Sequence, residues 1–192
     1  MTGGRQGTKK PSLRFIKGNL ISETRWRGIR IAAAPKDSPP FPVDAFAFEE
    51  DTFLVMSADP TVRDPKIPLI RIMTRLIETK PHAPGTVLVR GHSPVRLLAV
   101  VHDFNEDPSW KEDWIEKAFQ GVFQAAERLR LRSLGLPLLG TVHGSLDRDK
   151  GLRLLAEALR LRTLPDLTCL WLVVPPGGAH EFLQRLKLHL QA

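Results

Sequence analysis

Cysteine is almost missing from this chain: Cys169 is the only one in 192 residues, so no internal disulfide can form. It lies in an apolar run, which suits a small core hydrophobe in a reducing compartment and makes a cytoplasmic location the expectation. Long hydrophobic runs are missing as well. The longest, near residues 167–174, is far short of the roughly 20 residues that cross a bilayer, so no membrane span is expected. The first ten residues are polar with no apolar stretch, so no secretory signal is expected. Paired metal-ligand spacings are also absent: His82, His92, His102, His143, His180 and His189 are scattered, so neither a metal nor a resident cofactor is expected. There is no nucleophile-elbow serine, and Cys169 has no activating neighbours. No internal repeat is found. Tyrosine is absent while arginine and leucine abound, a bias met in GC-rich or heat-adapted sources.

What is present is a globular composition, 42% apolar and 26% charged, over a length that fits one domain with a substantial core. The net charge of +7 is concentrated at one end. Arg5, Lys9, Lys10, Arg14, Lys17, Arg25, Arg27 and Arg30 stand against Glu23 alone. Such an end attracts phosphate-bearing partners, nucleic acid among them, with strong salt dependence; a solvated arm without a dedicated partner has the same composition. Residues 1–11 read as a flexible basic tail and 12–192 as a single domain.

Alternation predicts strands at 13–16, 28–33, 43–48 and 53–56. Between the second and third, Pro35, Pro39, Pro40 and Pro42 exclude regular structure and leave a surface loop. The carboxylates Glu49, Glu50 and Asp51 follow the third strand, as a solvated acidic turn or as a general acid or base. A helix is expected from Pro68 to Lys80, with Leu69, Ile72, Met73, Leu76 and Ile77 on one face. Thr86 to Arg90 and Val95 to His102 form two more strands joined at a turn. Ser109 and Glu112 have capping-box spacing and open a helix whose stripe is Trp110, Trp114, Ala118, Val122, Ala126 and Leu129. Strands at 134–139 and 167–174 then alternate with helices at 149–162 and 179–190. Paired strands followed by strict alternation imply an α/β fold, a three-layer sandwich with a mixed central sheet flanked by helices.

The stretch from Leu134 to Ser145 organises the rest. It begins as a buried strand, breaks at Gly140 and Gly144, and feeds a helix. Such a turn can leave backbone N–H groups facing outward at the carboxyl edge of the sheet, where a phosphate binds. An ordinary strand-to-helix loop has the same glycines.

Gly85-Thr86-Val87-Leu88-Val89, Leu98-Ala99-Val100-Val101-His102 and Ser133-Leu134-Gly135-Leu136-Pro137-Leu138-Leu139-Gly140-Thr141 follow one another at a spacing that resembles the macro domain, the ADP-ribose-binding α/β module. Val43 to Asp51 is similar to that family's third-strand motif, and Arg14 to Leu20 to its opening strand and turn. The resemblance implies a divergent macro-like domain that binds ADP-ribose or a related phosphorylated nucleoside. It assigns the phosphates to Gly140, Thr141, Val142, His143, Gly144 and Ser145, the ribose to Asp51, and the adenine to Asn19 and His180. Phe48 and Val142 depart from the family pattern, and 56–60 holds no glycine. If the protein is an enzyme, the resemblance implies hydrolysis of ADP-ribose derivatives, with Glu49 and Asp51 as candidate catalytic residues. The alternative is a macro-fold interaction module without nucleotide chemistry, contacting nucleic acid or a protein through the basic N-terminal region.

Overall fold

The computed structural model describes residues 21–56 and 80–191. The strand expected at 13–16, Asn19 and the helix expected from Pro68 lie outside the described residues. Seven strands are described: β1 Ser22–Trp26, β2 Ile29–Ala34, β3 Ala45–Asp51, β4 Val87–Arg90, β5 Val95–His102, β6 Ser133–Pro137 and β7 Cys169–Val173. Three helices join them: α1 Glu112–Arg128, α2 Arg148–Arg160 and α3 Ala179–Gln191.

The sheet runs in the order β1-β2-β7-β6-β3-β5-β4. Its five inner strands are parallel, and β1 and β4 close the two edges antiparallel. This is the mixed α/β sheet expected from the order of elements. β1 is a strand that the sequence pattern hides, because Ser22 and Thr24, half-buried, and Glu23 and Arg25, exposed, are all polar. What makes it a hairpin is the Arg27-Gly28 turn, where both residues take positive φ, 45° and 85°.

All three described helices pack on one face. There, small strand residues such as Ala33, Ala45 and Ala47 leave room for Phe119 and Phe123 of α1 and for the leucines of α2 and α3. On the opposite face Leu98 and Val100 bury with Leu54 against Phe48 and Leu88, and the Phe46 ring meets Trp171 edge-on at 5.5 Å. That contact requires Gly135, since a Cβ there would lie 2.4 Å from Phe46 Cδ2.

Three expectations change. The acidic trio is not a solvated turn: Glu49, Glu50 and Asp51 are the last residues of β3 and are buried. Residues 53–56 form no strand, because their amides turn back onto the Asp51 carboxylate. The capping box is not made. α1 starts from Lys111 without a side-chain cap, and the Ser109 hydroxyl faces the His102 ring at 3.4 Å. The buried stripe of α1 keeps the expected Ala118, Val122 and Ala126 but is rotated toward Ile115, Phe119 and Phe123, leaving Leu129 exposed. No described helix is long and apolar enough to cross a membrane.

Candidate functional site

β6, β3 and β5 are neighbours and parallel, so their carboxyl ends bring together residues remote in the chain. Glu49 ends up between the turn after β6 and the last residue of β5, His102. Its Oε1 accepts from the amides of Gly140 at 2.6 Å and Val142 at 3.3 Å. Its Oε2 accepts from the amide of His143 at 3.1 Å and lies 3.1 Å from His102 Nε2. Both Glu49 and His102 are buried, with exposures of 4% and 0%. Three amides converging on one carboxylate make a backbone anion site, and the anion is the protein's own side chain.

The sequence pattern leads one to expect these N–H groups facing outward. They face inward instead, because Glu49 on the adjacent strand is long enough to reach them. Val142 and His143 present their side chains to solvent. Thr141 turns back on Leu138, its N–H and hydroxyl donating to the Leu138 carbonyl at 3.2 and 2.7 Å. Ser145 Oγ accepts from Trp110 Nε1 at 3.3 Å. Gly140 takes φ +83°, and a Cβ on it would lie 2.3 Å from Ile115 Cδ1. A Cβ on Gly144 would lie 2.4 Å from the Gly140 carbonyl oxygen. Gly140→Ala is therefore expected to destabilise by about 1–2 kcal/mol for the left-handed backbone and ~1–3 kcal/mol more for overpacking. A urea midpoint equal to that of the native protein would contradict this geometry.

The same device recurs around it. Asp51, fully buried, accepts from the amides of Phe53, Val55 and Met56 at 2.7, 2.7 and 2.9 Å. Asp147 caps α2 by accepting from the amides of Asp149 and Lys150 at 3.0 and 3.1 Å. Lys150 in turn reaches Glu112 at 2.6 Å, tying the starts of α2 and α1 and holding the Glu112 carboxyl below the ordinary glutamate range. At the other end of the sheet Asp44 accepts from the amides of Arg132 and Ser133. No group of three metal-ligating side chains occurs among the described residues.

Beside the Gly140 loop a cleft of about 420 Å³ opens at the carboxyl ends of β2, β6 and β7. Its walls include Pro35, Val142, Pro175 and Phe182, and its polar side chains are Lys36, Asp37, Thr141 and Arg148. The Arg148 guanidinium sits 5.9 Å from the Phe182 ring centroid. Parallel strands ending together make this the place where such sheets take ligands.

No family model matches the sequence, and no curated protein matches it. Solved structures are similar. The macrodomain of Oceanobacillus iheyensis with ADP superposes with a TM-score of 0.65 at 11% identity, over 89% of this chain and 96% of that one. The chain has the macrodomain fold. A point mutant of the same macrodomain with ADP-ribose superposes equally well. The macro domain of ganglioside induced differentiation associated protein 2 gives 0.57 at 11% identity, over 81% of each chain. The macrodomain of Mycobacterium tuberculosis DarG gives 0.54 at 14% identity, over 76% of this chain and 98% of that one.

Within this macrodomain fold the sequence-predicted residues divide. Gly140 to Ser145 and Asp51 lie at the expected strand ends, but the Gly140, Val142 and His143 amides and the Asp51 carboxylate are already engaged. His180 is exposed on the first turn of α3, beside Gln184, and is absent from the cleft wall; Phe182, two residues on, is part of it. Sequence reasoning does not pick out Lys36, Asp37, Arg148 or Phe182. The first two are findable, since they follow the end of β2 directly, as Glu49 ends β3, but the surrounding prolines mark them as plain surface loop.

Proposed function

We propose that the protein is a macro-fold binding module for a phosphorylated nucleoside, ADP-ribose or a relative of it, seated in the cleft between Lys36 and Phe182. The observation that carries this reading is the cleft itself, at the carboxyl ends of three parallel strands. Its proline and valine walls suit the faces of a base, Lys36 and Arg148 supply charge for a phosphate, and Asp37 offers an acceptor for hydroxyl or amino hydrogens. Its volume, about 420 Å³, is at the small end of ligand pockets and fits a nucleoside with one phosphate inside. Binding, and not hydrolysis, is the reading. The carboxylates of Glu49 and Asp51 are both spent on backbone amides, so neither is arranged to position a water.

Calorimetry with AMP and with ADP-ribose tests it. Arg148→Ala is expected to weaken binding about tenfold, the ~1.4 kcal/mol of one charged contact. No heat from the native protein with either ligand would end the proposal. A second reading, an interaction module without nucleotide chemistry, is favoured by Glu49 filling the loop. It requires nucleic acid binding that falls steeply with salt and is lost when residues 1–10 are deleted.

A further inference from the structure

We propose that Glu49 sets the ligand class of this protein: by occupying the Gly140 to His143 amides it refuses a phosphate at that loop, and so selects nucleoside monophosphates over diphosphates. The proposal rests on the cleft reading for the monophosphate and stands independently for the loop.

Four observations support it. First, the loop is an anion site by its own geometry, since the amides of Gly140, Val142 and His143 all point at the two oxygens of one carboxylate. Second, the site is full. Its three amide donors are matched to Glu49, whose Oε2 is further engaged by His102 Nε2, so an arriving phosphate meets a negative group where it needs donors. Third, Thr141 and Val142 also line the cleft, so a ligand there lies alongside the loop, and a second phosphate extending toward it would find the loop's amides turned inward and already taken by Glu49. Fourth, the cleft carries its own cations, Lys36 and Arg148, so one phosphate can be held without the loop. Removing the Glu49 side chain would leave three amides without an acceptor in a loop whose Val142 and His143 are exposed, so a phosphate oxygen approaching from that side could replace the carboxylate.

The experiment is calorimetry with AMP, ADP-ribose and pyrophosphate on the native chain, Glu49→Ala and Glu49→Gln, with thermal melting of each variant in pyrophosphate. The native protein is expected to bind AMP at least tenfold more tightly than ADP-ribose, with no measurable heat from pyrophosphate. Glu49→Ala is expected to gain tenfold or more for pyrophosphate and ADP-ribose, and to melt higher when pyrophosphate is added. Glu49→Gln keeps the side chain's volume and a carbonyl for the Gly140 and Val142 amides and removes only the negative charge that repels a phosphate, so its gain should be a few-fold.

Native protein that binds pyrophosphate as tightly as the variants overturns the proposal. So does a folded Glu49→Ala with no gain. Should Glu49→Ala fail to fold, Glu49→Gln decides, and native-like pyrophosphate binding there overturns it. AMP reports on the cleft and pyrophosphate on the loop. A pyrophosphate gain without AMP binding would therefore remove the cleft reading and the monophosphate preference while leaving Glu49 as the loop's occupant.

Discussion

Glu49→Ala is expected to cost about 3–5 kcal/mol of stability, the usual penalty for removing one partner of a buried, hydrogen-bonded charged group. The cost arises in what is left behind. The amides of Gly140, Val142 and His143 lose their acceptor, and the buried His102 ring loses the carboxylate at 3.1 Å. Each unsatisfied group costs ~1–3 kcal/mol where water cannot reach it, and less at Val142 and His143, which are only partly covered. For a chain of this length that corresponds to a fall in melting temperature of about 10 °C. Glu49→Gln retains one acceptor and should lose about half as much. Equal urea midpoints for native and Glu49→Ala protein would show that the carboxylate does not hold the loop.

Asp51→Ala should have an effect of similar size, for a related reason at a neighbouring place. Asp51 has no exposure and is the acceptor for the Phe53, Val55 and Met56 amides, so the chain leaving β3 is folded around its carboxylate. Three such bonds to a charged acceptor contribute ~1.5–3 kcal/mol each before the loss of partners is relaxed by solvent, and about 3–5 kcal/mol is the expected net loss. Limited proteolysis should find a new cut near 52–56 in the variant. The outcome separates an anchor from a ribose ligand. An anchor lowers the melting temperature with or without nucleotide, whereas a ribose contact would lower affinity and leave melting of the free protein unchanged.

The resemblance of 84–146 to the macro domain was legible because β4, β5 and β6 are ordinary strands with apolar periods, and Gly140 stands where a left-handed residue is required. The conformation of Glu49 to Asp51 was not legible. Three consecutive acids after an apolar strand look solvated in one dimension, and only the packing of β3 between β5 and β6 makes them buried. Trp114 and Leu129 fit a helical stripe on paper. The register of α1, which packs on β5 and β4, is set instead by Ile115, Phe119 and Phe123, all fully buried. The polar edge strand β1 carries no periodic signal at all and exists because a two-residue turn at Arg27 and Gly28 folds it back onto β2.

Taken alone, the sequence determined the alternation of strands and helices, the mixed α/β class and the glycine-broken turn after β6, since these follow from hydrophobic period and from residues that can adopt positive φ. The tertiary structure alone decided what fills that turn. A carboxylate 91 positions away reaches the Gly140 amide only because β3 and β6 are parallel and adjacent in the sheet, and no local pattern records which strands become neighbours.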